Sequence, residues 1–285
     1  MAANNTESNC RLHDKTLRSK IETINLLRWE TGKKPRRQAD EIATEEPLEI
    51  QVDTRAVCVT MRTPGHDGEL AMGFLLTEGV ITKRKHILKI EPYPRNELGN
   101  VLNVFLAPEV AVDFARLTRH VFASSSCGLC GKATIQAVHG QFKPVNSKWL
   151  VKAKILLGLP AQLSLSQETF SRTGGLHAAA IFTSQGKLVV VREDVGRHNA
   201  VDKVLGYGLM KGMFPFDRHI LMVSGRASFE IMQKALAARI AIVAAISAPS
   251  SLAVQFARES GQTLAGFVRG DRMNVYSGAQ RIRFR

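Results

Sequence analysis

The sequence has few cysteines, few aromatic residues and no long apolar run. Four cysteines among 285 residues are too few for a disulfide scaffold, which is short and cysteine-dense. The longest unbroken apolar run is Ile240–Ile246, whereas a membrane-spanning helix needs about 20 residues. Aromatic residues make up 6%, and no basic tract is interleaved with Phe or Tyr, which argues against a base-stacking platform.

The N-terminal segment MAANNTESNC lacks a basic region followed by an apolar stretch, so no secretory signal is visible. We therefore expect a cytoplasmic, reducing compartment. Hydrophobic residues make up 45%, enough for a proper core and too many for a disordered chain. The length fits one large domain or two modest ones.

Acidic residues are outnumbered, with 25 Asp and Glu against 39 Lys and Arg, for a net charge of +14. This excess predicts an anionic partner. A nucleic acid, a nucleotide-bearing cofactor and an acidic protein face all satisfy it, and charge alone does not choose among them.

The pattern along the chain predicts four regions. Residues 1–45 read as a basic N-terminal tail around Lys33–Arg37, and 46–123 as a small α+β region. Residues 124–140 form a Cys-x-x-Cys loop, and 141–280 an α/β domain in which strands alternate with helices of about ten residues. We expect a layered sheet that is largely parallel there, preceded by a weakly patterned stretch over 140–170 with Pro144 and Pro160 as breakers.

The Cys127-Gly128-Leu129-Cys130 segment is the sharpest chemical feature. Structural zinc would need two further ligands, but Cys10 and Cys58 are single and no close histidine pair is present. A redox dithiol and a sulfur relay remain open. Flanking Gly and Ser residues suit a thiol that visits two partners, and a helix starting after the pair would favour the thiolate.

His177, followed by three alanines, resembles the His-Ala-Glu element of zinc nucleoside deaminases. Those enzymes need a Glu two residues after the His and a Cys pair downstream. Here Ala179 occupies the Glu position and the Cys pair lies upstream. Deamination is therefore disfavoured, although a deaminase-like layered fold remains consistent with the pattern.

Three segments place Gly, Ser and Arg after predicted strands, where α/β proteins commonly bind anions. Their candidate residues are Arg197 and His198 in the first, Ser224, Gly225 and Arg226 in the second, and Phe267, Val268, Arg269, Gly270, Asp271 and Arg272 in the third. We expect the strands 178–182, 188–191, 219–223 and 263–268 to end at one edge of the sheet. Arg197, Arg226, Arg269 and Arg272 would then surround a common cleft.

Taken together, five segments in order resemble the FdhD family, the sulfur-carrier accessory proteins of formate dehydrogenase. They are Cys127–Gly131, Thr173–Ala180, Glu193–Lys203, Ser224–Ser228 and Gly266–Tyr276. The resemblance covers about residues 40–280.

The resemblance implies a cytidine-deaminase-like, three-layer α/β fold with a smaller, mostly N-terminal α+β region. It implies that Cys127 carries a persulfide received from a cysteine desulfurase, with Cys130 as the second thiol in a sulfurtransferase-like activity. The sulfur would pass to the molybdenum (or tungsten) bis-pterin guanine dinucleotide cofactor of formate dehydrogenase. The cofactor would contact Phe267–Arg272, with Arg197, His198, Ser224, Gly225, Arg226 and His177 as further candidates. The resemblance also implies a homodimer. From the residues themselves we expect no structural metal, no membrane span and no nucleic-acid partner.

Two other classes remain as rivals. A zinc-dependent nucleoside deaminase would hold stoichiometric zinc with a displaceable water. A non-catalytic nucleic-acid or partner-binding module would use the positive charge and would not need the two loop cysteines.

Overall fold

The computed structural model describes residues 18–94, 96, 98–115, 117 and 131–285, and within them the chain is a mixed α/β protein, as expected. The described helices are α1 (Asp67–Thr77), α2 (Gly131–Gln141), α3 (Ala153–Leu165), α4 (Glu168–Thr173), α5 (Arg197–Met210), α6 (Phe229–Ala237) and α7 (Ser251–Glu259). The described strands are β1 (Ile21–Arg28), β2 (Arg36–Ala43), β3 (Glu46–Val52), β4 (Arg55–Arg62), β5 (Ile87–Pro92), β6 (Val101–Leu106), β7 (Val151–Lys152), β8 (His177–Thr183), β9 (Leu188–Asp194), β10 (His219–Val223), β11 (Ile242–Ala245), β12 (Thr263–Arg269), β13 (Arg272–Ser277) and β14 (Ile282–Arg283).

A six-stranded sheet in the order β13-β12-β11-β10-β8-β9 forms the centre of the larger region. Consecutive residues of β8, β10 and β11 are buried, so both faces of the sheet are covered. The β10–β11 and β11–β12 pairings are parallel, and the other three are antiparallel. The expectation of a largely parallel sheet was therefore wrong. The short connections β8–β9 and β12–β13 can join only antiparallel neighbours, because a parallel pair needs a crossover of a dozen or more residues.

A four-stranded sheet in the order β4-β3-β6-β5 forms the smaller region together with α1. The predicted hairpin over residues 48–61 is confirmed by β3 and β4, with Asp53 and Thr54 at positive φ in the turn. Helix α1 packs closely on α5, where glycines allow the two backbones to approach. A Cβ added to Gly73 would lie 1.8 Å from the carbonyl oxygen of Asp202, and one added to Gly206 would lie 1.8 Å from that of Glu69. This crossing joins the small region to the large sheet.

The segment expected to be a tail contains a hairpin. Strands β1 and β2 pair antiparallel over eight residue pairs, and Gly32 adopts a φ of 80° in the turn. Apolar Ile21, Ile24, Leu26 and Leu27 in β1 were the available signal. The positions of the region boundaries at residues 45, 123 and 140 stay predictions.

The interpretation of Pro160 as a breaker was also wrong, because α3 runs through it. Proline removes one backbone donor and costs about 3 kcal/mol inside a helix. Leu156, Leu159 and Leu163 share one helix face and are fully buried, so their packing outweighs that cost. Among the helices that the structure describes, none combines the length and the apolar character needed to cross a membrane.

Candidate functional site

Four strands end, and two begin, at the same edge of the six-stranded sheet. We call this the strand-end edge and define it by His177, Asp194, Val223 and Arg269. The ends of β9, β10 and β12 lie there, as expected. The end of β8 does not, because β8 runs antiparallel to β10 and places its first residue, His177, opposite Asp194. The expected position of the β8 end was therefore wrong.

His177 sits among candidate residues from two different loops. A Cβ added to Gly225 would lie 3.0 Å from His177 Nδ1, so the glycine allows the imidazole to approach the loop after β10. Ser224 fixes that loop, because its Oγ accepts a hydrogen bond of 2.8 Å from the backbone N–H of Ala178. Partial burial lowers the pKa of His177, and the charges of Arg197 and Arg226 lower it further. The ring is therefore neutral at pH 7 beside two permanent cations.

His198 lies next to this group at the start of α5. Burial lowers its pKa to about 4, with further lowering by Lys234 and Arg197, while Glu230 opposes the shift. Its Nε2 is 3.4 Å from Ser228 Oγ and 3.8 Å from Glu230. Two neutral imidazoles and two guanidinium groups thus share one part of the strand-end edge.

Arg197 presents a buried donor that the described residues do not use. Its Nε has no hydrogen-bond partner within the described part of the chain. A buried, unpaired donor costs about 1–3 kcal/mol, so an oxyanion that accepts from it would recover that energy. This is the clearest physical indication of an anion subsite beside His177 and His198.

The turn that carries Arg197 and His198 is held by a buried carboxylate. Asp194 Oδ1 accepts hydrogen bonds from the backbone N–H of Gly196 at 2.8 Å and from Asn199 Nδ2 at 3.0 Å. Its Oδ2 lies 2.6 Å from Lys203 Nζ, and both side chains are at most 1% exposed. We call this the Asp194–Lys203 pair.

The smaller region contributes to the same support. The backbone of Thr63 donates to Asp194 Oδ2 at 3.2 Å and accepts from Lys203 Nζ at 2.8 Å. Its hydroxyl accepts from Val195 N at 3.1 Å. Sequence reasoning assigned no role to Thr63, because its contacts with residues 194–203 are distant along the chain.

A second candidate subsite lies in the β12–β13 hairpin. Phe267, Arg269, Arg272 and Asn274 line a cavity of about 310 Å³. Phe267 adopts a φ of 51°, rare for a non-glycine residue, and the strand register shifts between Gly266 and Arg269. This irregular backbone exposes the phenyl ring, and the guanidinium of Arg269 lies 6.0 Å from the ring centroid.

The other residues of the predicted segment 267–272 are not among those that line this cavity. Gly270 and Asp271 form the exposed turn, and the Val268 side chain is buried in the core. Asn274 was not among the predicted residues. Its position two residues after Arg272 on β13 was the available signal.

The structure thus brings the candidate residues into two groups at one sheet edge. The histidine–arginine group comprises His177, Arg197, His198 and Arg226, and the hairpin cavity comprises Phe267, Arg269, Arg272 and Asn274. No contact between the two groups is recorded among the described residues, so the common cleft stays a prediction. Cys127 and Cys130 lie outside the described residues, although α2 begins directly after them at Gly131. Within the described part, no cluster of three or more His, Cys, Asp or Glu side chains is arranged to hold a metal ion.

Comparisons with known proteins cover nearly the whole chain. The sequence profile of the FdhD/NarQ family matches residues 43–283. The sulfur carrier protein FdhD of Mycobacterium tuberculosis is 51% identical over 251 residues, which cover 85% of this chain and 91% of that protein. The protein of the same name from Streptomyces coelicolor is 48% identical over 259 residues, covering 86% and 90%.

A solved structure shows the same fold. The crystal structure of a candidate formate dehydrogenase accessory protein from Desulfotalea psychrophila superimposes with a TM-score of 0.74. It is 24% identical in sequence and covers 93% of this chain and all of that one. The match extends over the six-stranded and the four-stranded sheet rather than over one local motif.

Proposed function

The chain belongs to the FdhD/NarQ family, and from this membership we propose that it is a sulfur carrier serving formate dehydrogenase. The observation that carries the proposal is the identity of about one half to sulfur carrier proteins over 85% of the chain. The Cys127-Gly128-Leu129-Cys130 segment supplies the two thiols that such a carrier needs.

In the proposed reaction Cys127 accepts sulfur from a cysteine desulfurase. The Cys127 thiolate attacks the terminal sulfur of the donor's cysteine persulfide. A new S–S bond forms on Cys127, and the donor cysteine leaves as a thiolate. The start of α2 at Gly131 supports this role, since helix N-termini favour a nearby thiolate.

Cys130 completes the transfer in this proposal. Its thiolate attacks the inner sulfur of the Cys127 persulfide, which forms a Cys127–Cys130 disulfide and releases the outer sulfur as sulfide. A dithiol reductant then restores both thiols. The acceptor is the molybdenum or tungsten bis-pterin guanine dinucleotide cofactor, bound as a client before it enters the dehydrogenase.

The strand-end edge carries groups that suit the nucleotide end of that client. The exposed Phe267 ring can stack on a guanine base, while Arg269 and Arg272 can donate paired hydrogen bonds to a pyrophosphate. Arg197, with its unpaired buried Nε, offers a second anion contact near His177 and Arg226.

Calorimetry with GDP tests this nucleotide site. We expect modest, salt-sensitive binding, and we expect the Arg269→Ala/Arg272→Ala variant to weaken it by several kcal/mol at most, since hydrogen bonds to charged groups contribute about 1.5–3 kcal/mol each. The exposed pair Arg218 and Arg283, changed to Ala together, is the matched control. Undiminished binding in the first variant would place the nucleotide elsewhere.

The sulfur-carrier role is tested through the client enzyme. Formate dehydrogenase matured with Cys127→Ala should be inactive, while the variant keeps the unfolding midpoint of the wild type. Cys58→Ala is the matched control and should support full activity. Full client activity with Cys127→Ala would contradict the proposal. The proposal also includes a cytoplasmic location and a homodimer. Sedimentation of the purified chain tests whether the homodimer forms.

A further inference from the structure

The turn of the N-terminal hairpin concentrates positive charge. We call Arg28–Arg37 the basic hairpin tip. It contains five cations, Arg28, Lys33, Lys34, Arg36 and Arg37, and one acidic residue, Glu30. All five cations are exposed. Glu30 forms ion pairs with Arg28 and Lys33, which leaves Lys34, Arg36 and Arg37 without a recorded ion pair among the described residues.

The strand register brings two of these cations together. Arg28 lies directly opposite Arg36, and Arg37 lies opposite the apolar Leu27. Like charges directly opposite each other in an antiparallel pair are destabilising. The hairpin thus carries an electrostatic cost at its tip that a bound anionic group would remove.

Among the residues that the structure describes, ion pairs to the rest of the molecule are found only at the other end of the hairpin. Arg172 of α4 pairs with Glu41 of β2, and Arg18, just before β1, pairs with Glu46 at 2.5 Å. Within the described residues, β1 and β2 form a sheet of two strands only. Such a ribbon is marginally stable alone and leaves backbone donors and acceptors open at its edges.

Apolar side chains lie beside the cations. Leu27 is 65% exposed and Trp29 is 64% exposed. Alternating apolar and cationic side chains next to an open strand edge complement an extended segment that alternates apolar and acidic residues. Base-stacking sites instead use successive aromatic side chains, and the tip has a single aromatic residue.

We propose that the basic hairpin tip is a docking surface for an extended acidic segment of another protein. The charge complementarity of a tip with net charge +4 and the two exposed apolar side chains carry the inference. It does not depend on the sulfur chemistry, and the surface lies outside both groups of the candidate site. Self-association of two tips is opposed by their like charge.

Fluorescence anisotropy with a labelled eight-residue peptide of alternating Glu and Val tests the proposal on the full chain. We expect binding that weakens as salt is raised, and about a tenfold or greater loss in the Arg28→Glu/Arg36→Glu/Arg37→Glu variant. The matched control, Lys83→Glu/Lys85→Glu/Lys148→Glu, reverses three exposed cations elsewhere and has the same net charge. It should change the affinity by less than about twofold.

A second readout does not alter charge. In a Trp149→Phe background the remaining tryptophan, Trp29, should shift its emission to shorter wavelength when the peptide binds, and Trp29→Ala should weaken binding. Equal loss in the two charge variants, or no binding by the wild type, would overturn the proposal. Two further results would also overturn it. Tighter binding of a 20-nucleotide oligothymidine, lost in the Arg28→Glu/Arg36→Glu/Arg37→Glu variant, would assign the surface to nucleic acid. A dimer that these hairpin substitutions dissociate would assign it to a second copy of the chain.

Discussion

Replacement of Asp194 by Asn should reveal how the turn carrying Arg197 and His198 is supported. The substitution keeps the size of the side chain and an oxygen that accepts from Gly196. It removes the charge that faces Lys203 Nζ at 2.6 Å, where both side chains are at most 1% exposed. The Lys203 ammonium would then be buried without its counterion. Breaking a buried pair in this way costs about 3–5 kcal/mol.

The pH dependence gives this prediction a distinctive sign. Burial lowers the pKa of Lys203, and the Asp194 carboxylate opposes that shift. In Asp194→Asn the opposition is lost, so the pKa of Lys203 falls further below its unfolded value of about 10.4. The folded state then binds fewer protons than the unfolded state, and stability rises with pH through the window between the two pKa values. The loss of stability in Asp194→Asn relative to the wild type should therefore be smaller at pH 9.5 than at pH 7.

Urea denaturation of four proteins at both pH values measures the effect: the wild type, Asp194→Asn, Lys203→Met and the double variant. The double variant should be more stable than Asp194→Asn alone, because no unpaired buried ammonium remains. Glu41→Gln, which breaks the exposed pair with Arg172, is the control and should leave the midpoint unchanged. Strictly additive single effects, or a deficit that grows with pH, would refute the reasoning.

Three further predictions concern other residues of the fold. Gly206→Ala should destabilise the protein by about 3 kcal/mol or more, because the new Cβ would lie 1.8 Å from the carbonyl oxygen of Glu69; Gly158→Ala, where nothing lies within 4 Å, is the control for denaturation. The Cys58 thiol should react slowly with iodoacetamide at pH 8 and rapidly in urea, because burial raises its pKa to about 12; fast native labelling would contradict this. The His198 ring should titrate by NMR with a midpoint near 4, whereas a midpoint near 6.5 would show that the ring is not desolvated.

Local patterns predicted the elements of the larger region well. The strand 219–223 has the predicted bounds, and the strand predicted over 263–268 extends one residue further, to Arg269. Each of these segments is a short apolar run with turn residues nearby. The same junctions held the Gly and Arg residues that the structure places at the strand-end edge.

The sequence predicted the direction of strands and the continuity of helices less well. Whether β8 begins or ends at the strand-end edge depends on its pairing with β10, which is distant along the chain. Pro160 was misread because the burial of three leucines, a tertiary effect, outweighs its local preference. Thr63 likewise acquires its contacts only when the two regions pack together. The sequence therefore predicted the chemistry of the site better than its geometric support.

Mass spectrometry of the chain after incubation with a cysteine desulfurase and cysteine tests the central claim most directly. The account predicts an added mass of one sulfur atom, about 32 Da, that maps to the peptide containing Cys127 and disappears on reduction, as a persulfide does. The added mass should be absent in Cys127→Ala and retained in Cys58→Ala. Wild-type protein without the sulfur adduct, or an adduct that persists in Cys127→Ala, would contradict the account.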